Sequence, residues 1–202
     1  MSDWLSNIVD KEKLQDNLTF VSLFIAIYEH TVDYTVNSIK SLLCNYSIID
    51  GKEHWDETET YRSTIRNRIV DEKGNKDQTK ASFLWLVDDG AISQDEYQRF
   101  LEIKAIRNRF AHELTTTIFE GISENEMNAL IELCEMLQKI SRWFFVTVEA
   151  PIMGYDLPDH EEPGDIQSAG SLMFQMMLEV LYNGKSEEYK ALVANIRKNE
   201  VE

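Results

Sequence analysis

Cysteine is nearly missing from this chain: there are two in 202 residues, Cys44 and Cys134, both in apolar helical surroundings ("SLLCNY", "IELCEML") with no CxxC partner or nearby histidine. A buried thiol is expected at each position, ahead of a disulfide, a metal ligand or a nucleophile. Proline and glycine are also scarce, at three and eight. With 43% hydrophobic and 28% charged residues, this composition fits a folded, helix-rich protein rather than a disordered or fibrous one. No apolar run approaches the roughly 20 residues a bilayer span needs. The longest, "FVSLFIAIY", covers residues 20–28, so no membrane span is expected. The opening "MSDWLSNIVDKEK" lacks the basic-then-apolar order of a secretion signal, and a cytoplasmic location is expected.

Positive charge is short as well. Twenty Lys and Arg face 36 Asp and Glu, a formal charge of −16, which argues against general adhesion to nucleic acid or to acidic membranes. The deficit is uneven: residues 1–59 carry 4 basic and 11 acidic side chains, residues 60–113 carry 10 and 9, and residues 114–202 carry 6 and 16. The balanced middle stretch is either an ordinary solvated helical face or the setting of a site.

What is present is helical periodicity. From Asn17, Phe20, Leu23, Phe24, Ile27, Thr31, Tyr34, Ile39 and Leu42 recur mostly at three- and four-residue steps, predicting a long amphipathic helix. "DETETYRSTIRNRIV" predicts a second helix, ending before a turn around Gly74, and "KASFLWLVDDG" a short apolar one closing at Gly90. Ser93 with Glu96, three residues on, predicts an N-cap and capping box for "ISQDEYQRFLEIKAIRNRFAHEL", and another helix runs from about Ser123. All three prolines lie in residues 151–163. The expected organisation is therefore a bundle over residues 1–150, a linker over 151–165 and a helical hairpin over 166–202, its two helices joined at Gly184. Met173, Met176 and Met177 are expected as packing surface, and Trp85, Trp143, Phe144 and Phe145 as core or interface. No strand is expected, so the fold class is all-α.

Two stretches echo one another: "IRNRI" at residues 65–69 and "IRNRFAH" at residues 106–112. On a helical wheel at about 100° per residue, Phe100, Ile103, Ile106, Phe110 and Leu114 form the core stripe, with Glu102, Arg109 and Glu113 opposite. Between these two sides lie Lys104, Arg107, Asn108, Ala111 and His112, and Asn108 and His112 stand at i, i+4. Imidazole, guanidinium and amide at the edge of a core stripe suit a phosphodiester. Histidine moves protons near neutrality, arginine grips a phosphoryl group in a planar fork, and asparagine orients. A packed or surface histidine remains the plain alternative. In "IRNRI" the position matching His112 is Asp71, so that copy offers basic contacts, Arg66 and Arg68, but no neutral-pH proton carrier.

The set Arg107-Asn108-Arg109-Phe110-Ala111-His112 resembles the R-x4-6-H signature of the HEPN superfamily. The upstream "LVDDGAISQDEYQRFLEIKAIRNRFAHEL" is similar to the matching helix pair of its branch related to mannitol-operon repressors. The resemblance implies an antiparallel HEPN-like helical bundle that forms a homodimer with two motifs facing across a cleft. In catalytic members RNA is cut without metal or cofactor, the ribose 2′-hydroxyl attacking the adjacent phosphate. Carried over, His112 moves the proton, Arg107 stabilises the phosphorane and Asn108 orients them, with Glu29 (or Asp33) the acidic partner from the first long helix. Lys104, Arg66 and Arg68 are candidate substrate contacts. A protein antitoxin or a regulatory partner also fits such families, and the repressor-related branch includes members without activity, so a non-catalytic regulatory protein acting in transcriptional control is the alternative. Leu114 stands where some toxin branches have tyrosine. His30, His54 and His160 lack metal-ligand spacing, the acidic "EGISENE" and "DHEEPGD" lack EF-hand order, no glycine-rich phosphate loop occurs, and Ser82, Ser93 and Ser171 lack a nucleophile context.

Overall fold

The computed structural model describes residues 3–70, 72–155, 168–182 and 184. Over these residues the chain is mostly helical, with one small sheet. After α1 (Asp3–Val9), the long α2 (Lys11–Leu43) starts where the Asp10 carboxylate accepts the backbone N–H groups of Glu12 and Lys13, at 3.0 and 3.3 Å. It buries Phe20, Phe24, Ile27, Thr31, Thr35 and Ile39, a stripe at helical spacing. Among the helices that pack on it are α4 (Gln78–Asp88), α5 (Gln94–His112) and α7 (Glu124–Phe144). The short α6 (Leu114–Glu120) covers α1.

The expected capping box at Ser93 is present, and α7 has a second one. The Ser93 hydroxyl accepts from Glu96 N at 3.1 Å while the Glu96 carboxylate accepts from Ser93 N at 2.6 Å, and Ser123 and Glu126 repeat the device at the start of α7. Glu96 also accepts from Lys139 at 2.7 Å, so one side chain caps α5 and ties it to α7. Aromatic rings fill the space between α2, α4 and α5. Phe83 stacks on Phe100 with centroids 3.5 Å apart, and Phe100 lies parallel to Tyr28 at 5.8 Å. Trp85, Trp143 and Phe144 form a second aromatic cluster, with Trp85 and Trp143 edge to face at 5.9 Å.

Four expectations are corrected. First, an antiparallel hairpin, β1 (Cys44–Ile49) and β2 (Lys52–Glu57), follows α2 where no strand was expected. Its two-residue turn, Asp50-Gly51, holds both residues at positive φ (52° and 73°), the backbone that Asp-Gly favours and that matches strand twist. Second, "DETETYRSTIRNRIV" makes only α3 (Glu59–Tyr61) and a π-helical turn, Arg62–Arg66, ending at Asn67 with φ −107° and ψ 6°. Third, α5 stops at His112 because Glu113 leaves helical geometry (φ −125°, ψ 35°), so Leu114 starts α6 and is exposed instead of completing the core stripe. Fourth, Pro151 sits inside α8 (Ala150–Met153), which continues directly from a π-helical turn over Phe145–Glu149, instead of opening the linker.

Beyond residue 155 the next described element is α9 (Ala169–Tyr182), which packs on α7 through the buried Phe174. The second helix of the expected hairpin lies outside the described residues, as do residues 156–165 of the expected linker. Met173 and Met177 are exposed on α9. Among the described residues no helix is long and apolar enough to cross a membrane.

The packing ranks two substitutions. Phe100→Ala, which opens the aromatic column, is expected to cost about 3–5 kcal/mol. Ser93→Ala, which removes one cap, is expected to cost about 1 kcal/mol. Urea unfolding of the two variants checks the order, and equal costs would contradict the column's role.

Candidate functional site

The site forms where α5 crosses α2. From α2 come Tyr28 and Glu29, one ring buried in the column and one carboxylate at its rim; from α5 come Lys104, Arg107, Asn108 and His112. The Arg107 guanidinium is held on three sides. One terminal nitrogen donates to Glu29 Oε1, the other to Asn108 Oδ1 at 3.2 Å, and the plane lies over the Tyr28 ring with its carbon 5.7 Å from the centroid. Tyr28 is locked in turn by Phe100, and burial holds its hydroxyl well above the usual tyrosine range. Of a guanidinium's five N–H donors, two are thus engaged. A further N–H on each terminal nitrogen, and the buried Nε–H, have no partner among the described residues.

His112 is the last residue of α5, one turn beyond Asn108, and is exposed. It makes no hydrogen bond, ion pair or ring contact among the described residues. The Asn108 side chain is turned to Arg107 and makes no hydrogen bond to the His112 side chain. The pair Glu29 and Asp33 separates: Glu29 bonds Arg107, and Asp33 is exposed. The structure therefore brings Glu29, Arg107 and Asn108 into direct contact and leaves His112 free at the helix end.

The other candidates are engaged elsewhere. Lys104 donates to both carboxylate oxygens of Asp77 at 3.0 and 3.3 Å. Partial burial would raise the Asp77 carboxyl. The backbone N–H of Lys80 and the Lys104 ammonium more than offset this and hold it below its usual range. Arg66 pairs with Glu57 at 2.5 Å and Arg68 with Asp88 at 2.6 Å, while Asn67 accepts from Lys76 at 2.8 Å. "IRNRI" is thus stitched to β2 and α4, and Asp71 lies outside the described residues.

Arg109 differs from its expected solvent position. It pairs with Glu126, which is 2% exposed and also accepts from Ser123 N and Oγ at the α7 cap. The wheel gave its angle but not the arrival of α7. Tyr28 was missed too; its place in the apolar stripe of α2, one turn after Phe24, was the available signal.

Cys44 and Cys134 are free and half-buried, and burial pushes the Cys134 thiol up to about 11, which makes it a poor nucleophile. His54 pairs with Asp56 at 3.0 Å, His30 packs its ring 5.1 Å from Phe174, and His160 lies outside the described residues. Among the described residues no group of three or more His, Cys, Asp or Glu could hold a metal ion.

These contacts assign different jobs to the two arginines of the motif. Arg109→Ala leaves a buried carboxylate without its cation and is expected to destabilise by about 3 kcal/mol. Arg107→Ala releases only a half-buried carboxylate at the rim and a ring contact, about 1 kcal/mol. Comparing their urea midpoints checks this, and a reversed order would show that Arg107 serves the fold. Asp77 carries a pH signature. Its lowered carboxyl adds stability that is fully present above the unfolded value of about 4 and is lost as pH falls through the lower folded value. Asp77→Asn should therefore flatten the acid limb of a stability profile, and an unchanged limb would contradict the assignment.

No family model, curated protein or solved structure matches the chain.

Proposed function

We propose that this protein is a metal-independent RNA endonuclease of HEPN type, of defence or toxin character, with its site completed at a homodimer interface. The observation that carries the reading is the arrangement at the crossing of α2 and α5. Arg107 is oriented by Glu29, Asn108 and Tyr28 with donors to spare, and an exposed, uncommitted imidazole follows at His112.

In the reaction, His112 accepts the proton of a ribose 2′-hydroxyl, whose oxygen attacks the adjacent phosphorus. The bond from phosphorus to the 5′-oxygen of the next nucleotide breaks, and that oxygen takes a proton, from water or from the imidazolium of the second copy. The products are a cyclic phosphate and a 5′-hydroxyl. Arg107 holds the two non-bridging oxygens as charge builds on the phosphorane, the point at which a fixed guanidinium lowers the barrier most. Asn108 and Glu29 keep that guanidinium from swinging away.

A second reading, a HEPN-fold regulatory protein without catalysis, draws on the charge. At −16 the chain gives RNA little long-range attraction, and the nearby Lys104 is already paired with Asp77.

The two readings part on incubation with a mixed RNA pool in chelator. The first expects cleavage, reduced about 10²- to 10⁴-fold in His112→Ala. Equal cleavage by both proteins refutes the mechanism, and no cleavage by either selects the regulatory reading.

A further inference from the structure

A two-stranded sheet has two open edges, and the two strands here protect theirs differently. β2 carries Lys52, Glu53, Asp56 and Glu57, charged side chains of the kind that discourage another strand from pairing. β1 has no charged residue and no proline, and its Tyr46, Ile48 and Ile49 are 50, 66 and 54% exposed. The Asp50-Gly51 turn makes the hairpin well formed, yet two strands alone are marginal in water. The hydroxyl oxygen of Ser47, in the middle of β1, is buried and has no hydrogen-bond partner.

We propose that the outer edge of β1 pairs antiparallel with β1 of a second copy of this chain, giving a four-stranded sheet in the order β2, β1, β1, β2. The occupant is a second copy because the edge complements itself. A two-fold axis normal to the sheet keeps the same face up in both copies and can pass through Ser47. Tyr46 of each copy then lies opposite Ile48 of the other, the aromatic and β-branched pairing that stabilises sheets. Ser47 of each copy then lies opposite Ser47 of the other, at the axis.

Charge selects the same edge. Two copies at −16 repel over most of their surfaces, whereas β1 opposes no charge to β1. The acidic β2 strands end three strand spacings apart, about 14 Å, beyond the roughly 8 Å screening length of physiological salt. The edge lies about 20 Å along α2 from Glu29 at 1.5 Å per residue. The contact is separate from the one that completes the proposed RNA-cleavage site, so it stands if no RNA is cut, and where both contacts form the chain associates beyond a dimer.

Sedimentation of the full chain over a concentration series tests it, beside Ile48→Glu. That position is exposed, so the fold should survive, which circular dichroism and the thermal midpoint check. The wild type is expected to self-associate, with one association step at least about tenfold weaker in the variant. In a Cys44→Ser, Cys134→Ser background, Ser47→Cys should form a disulfide-linked dimer on oxidation, and Lys52→Cys, on the outer strand, should not. A wild type that stays monomeric, a dimer unaffected by Ile48→Glu, or cross-linking through Lys52→Cys alone would each overturn the proposal.

Discussion

The packing of α5 against α2 through stacked aromatic rings is the constraint on which the rest of the molecule depends. Phe100 is clamped between Phe83 of α4 and Tyr28 of α2, and Phe110, nearly three turns further along α5, meets Phe24 edge to face at 5.0 Å. These contacts fix both the separation and the rotation of the two helices. Once they are set, Arg107 has little choice of neighbour. It emerges over the last ring of the column and meets the carboxylate one residue beyond that ring. A buried apolar stack thus determines the direction in which a polar group points.

The same frame explains why two neighbouring arginines behave differently. Arg109, two residues after Arg107 on α5, faces the N-terminus of α7. There a buried Glu126 both caps that helix and receives the guanidinium. This pair is internal to the fold and closes the seam between α5 and α7. Arg107 faces a half-buried carboxylate at the rim and keeps donors in reserve. Structural and chemical duties are divided within one turn of helix.

The sequence showed what depends on neighbours within a few residues. The Ser93 capping box, the start of α5 and the stripe of α2 follow from local spacing, and they appear as expected. The hairpin was harder to see because its strands do not alternate apolar with polar. Tyr46 and Ile48 share one face, but Ile49 falls on the other, and the Asp50-Gly51 pair was the only clear strand signal. The end of α5 was hidden because "AHELTTT" continues the apolar spacing past the break at Glu113. Arg66 and Arg68 looked like basic contacts until Glu57 and Asp88, remote in sequence, arrived beside them. Partners brought by tertiary packing leave no local trace, and the choice of Glu29 over Asp33 belongs to that class.

The central claim is that Arg107 and His112 direct a ribose hydroxyl onto its own phosphate without metal. Mass spectrometry of fragments from a defined RNA incubated in chelator reads this chemistry directly. The account predicts an upstream fragment ending in a 2′,3′-cyclic phosphate and a downstream fragment beginning with a 5′-hydroxyl. Fragments ending in a 3′-hydroxyl and beginning with a 5′-phosphate, the marks of water attack, would contradict it.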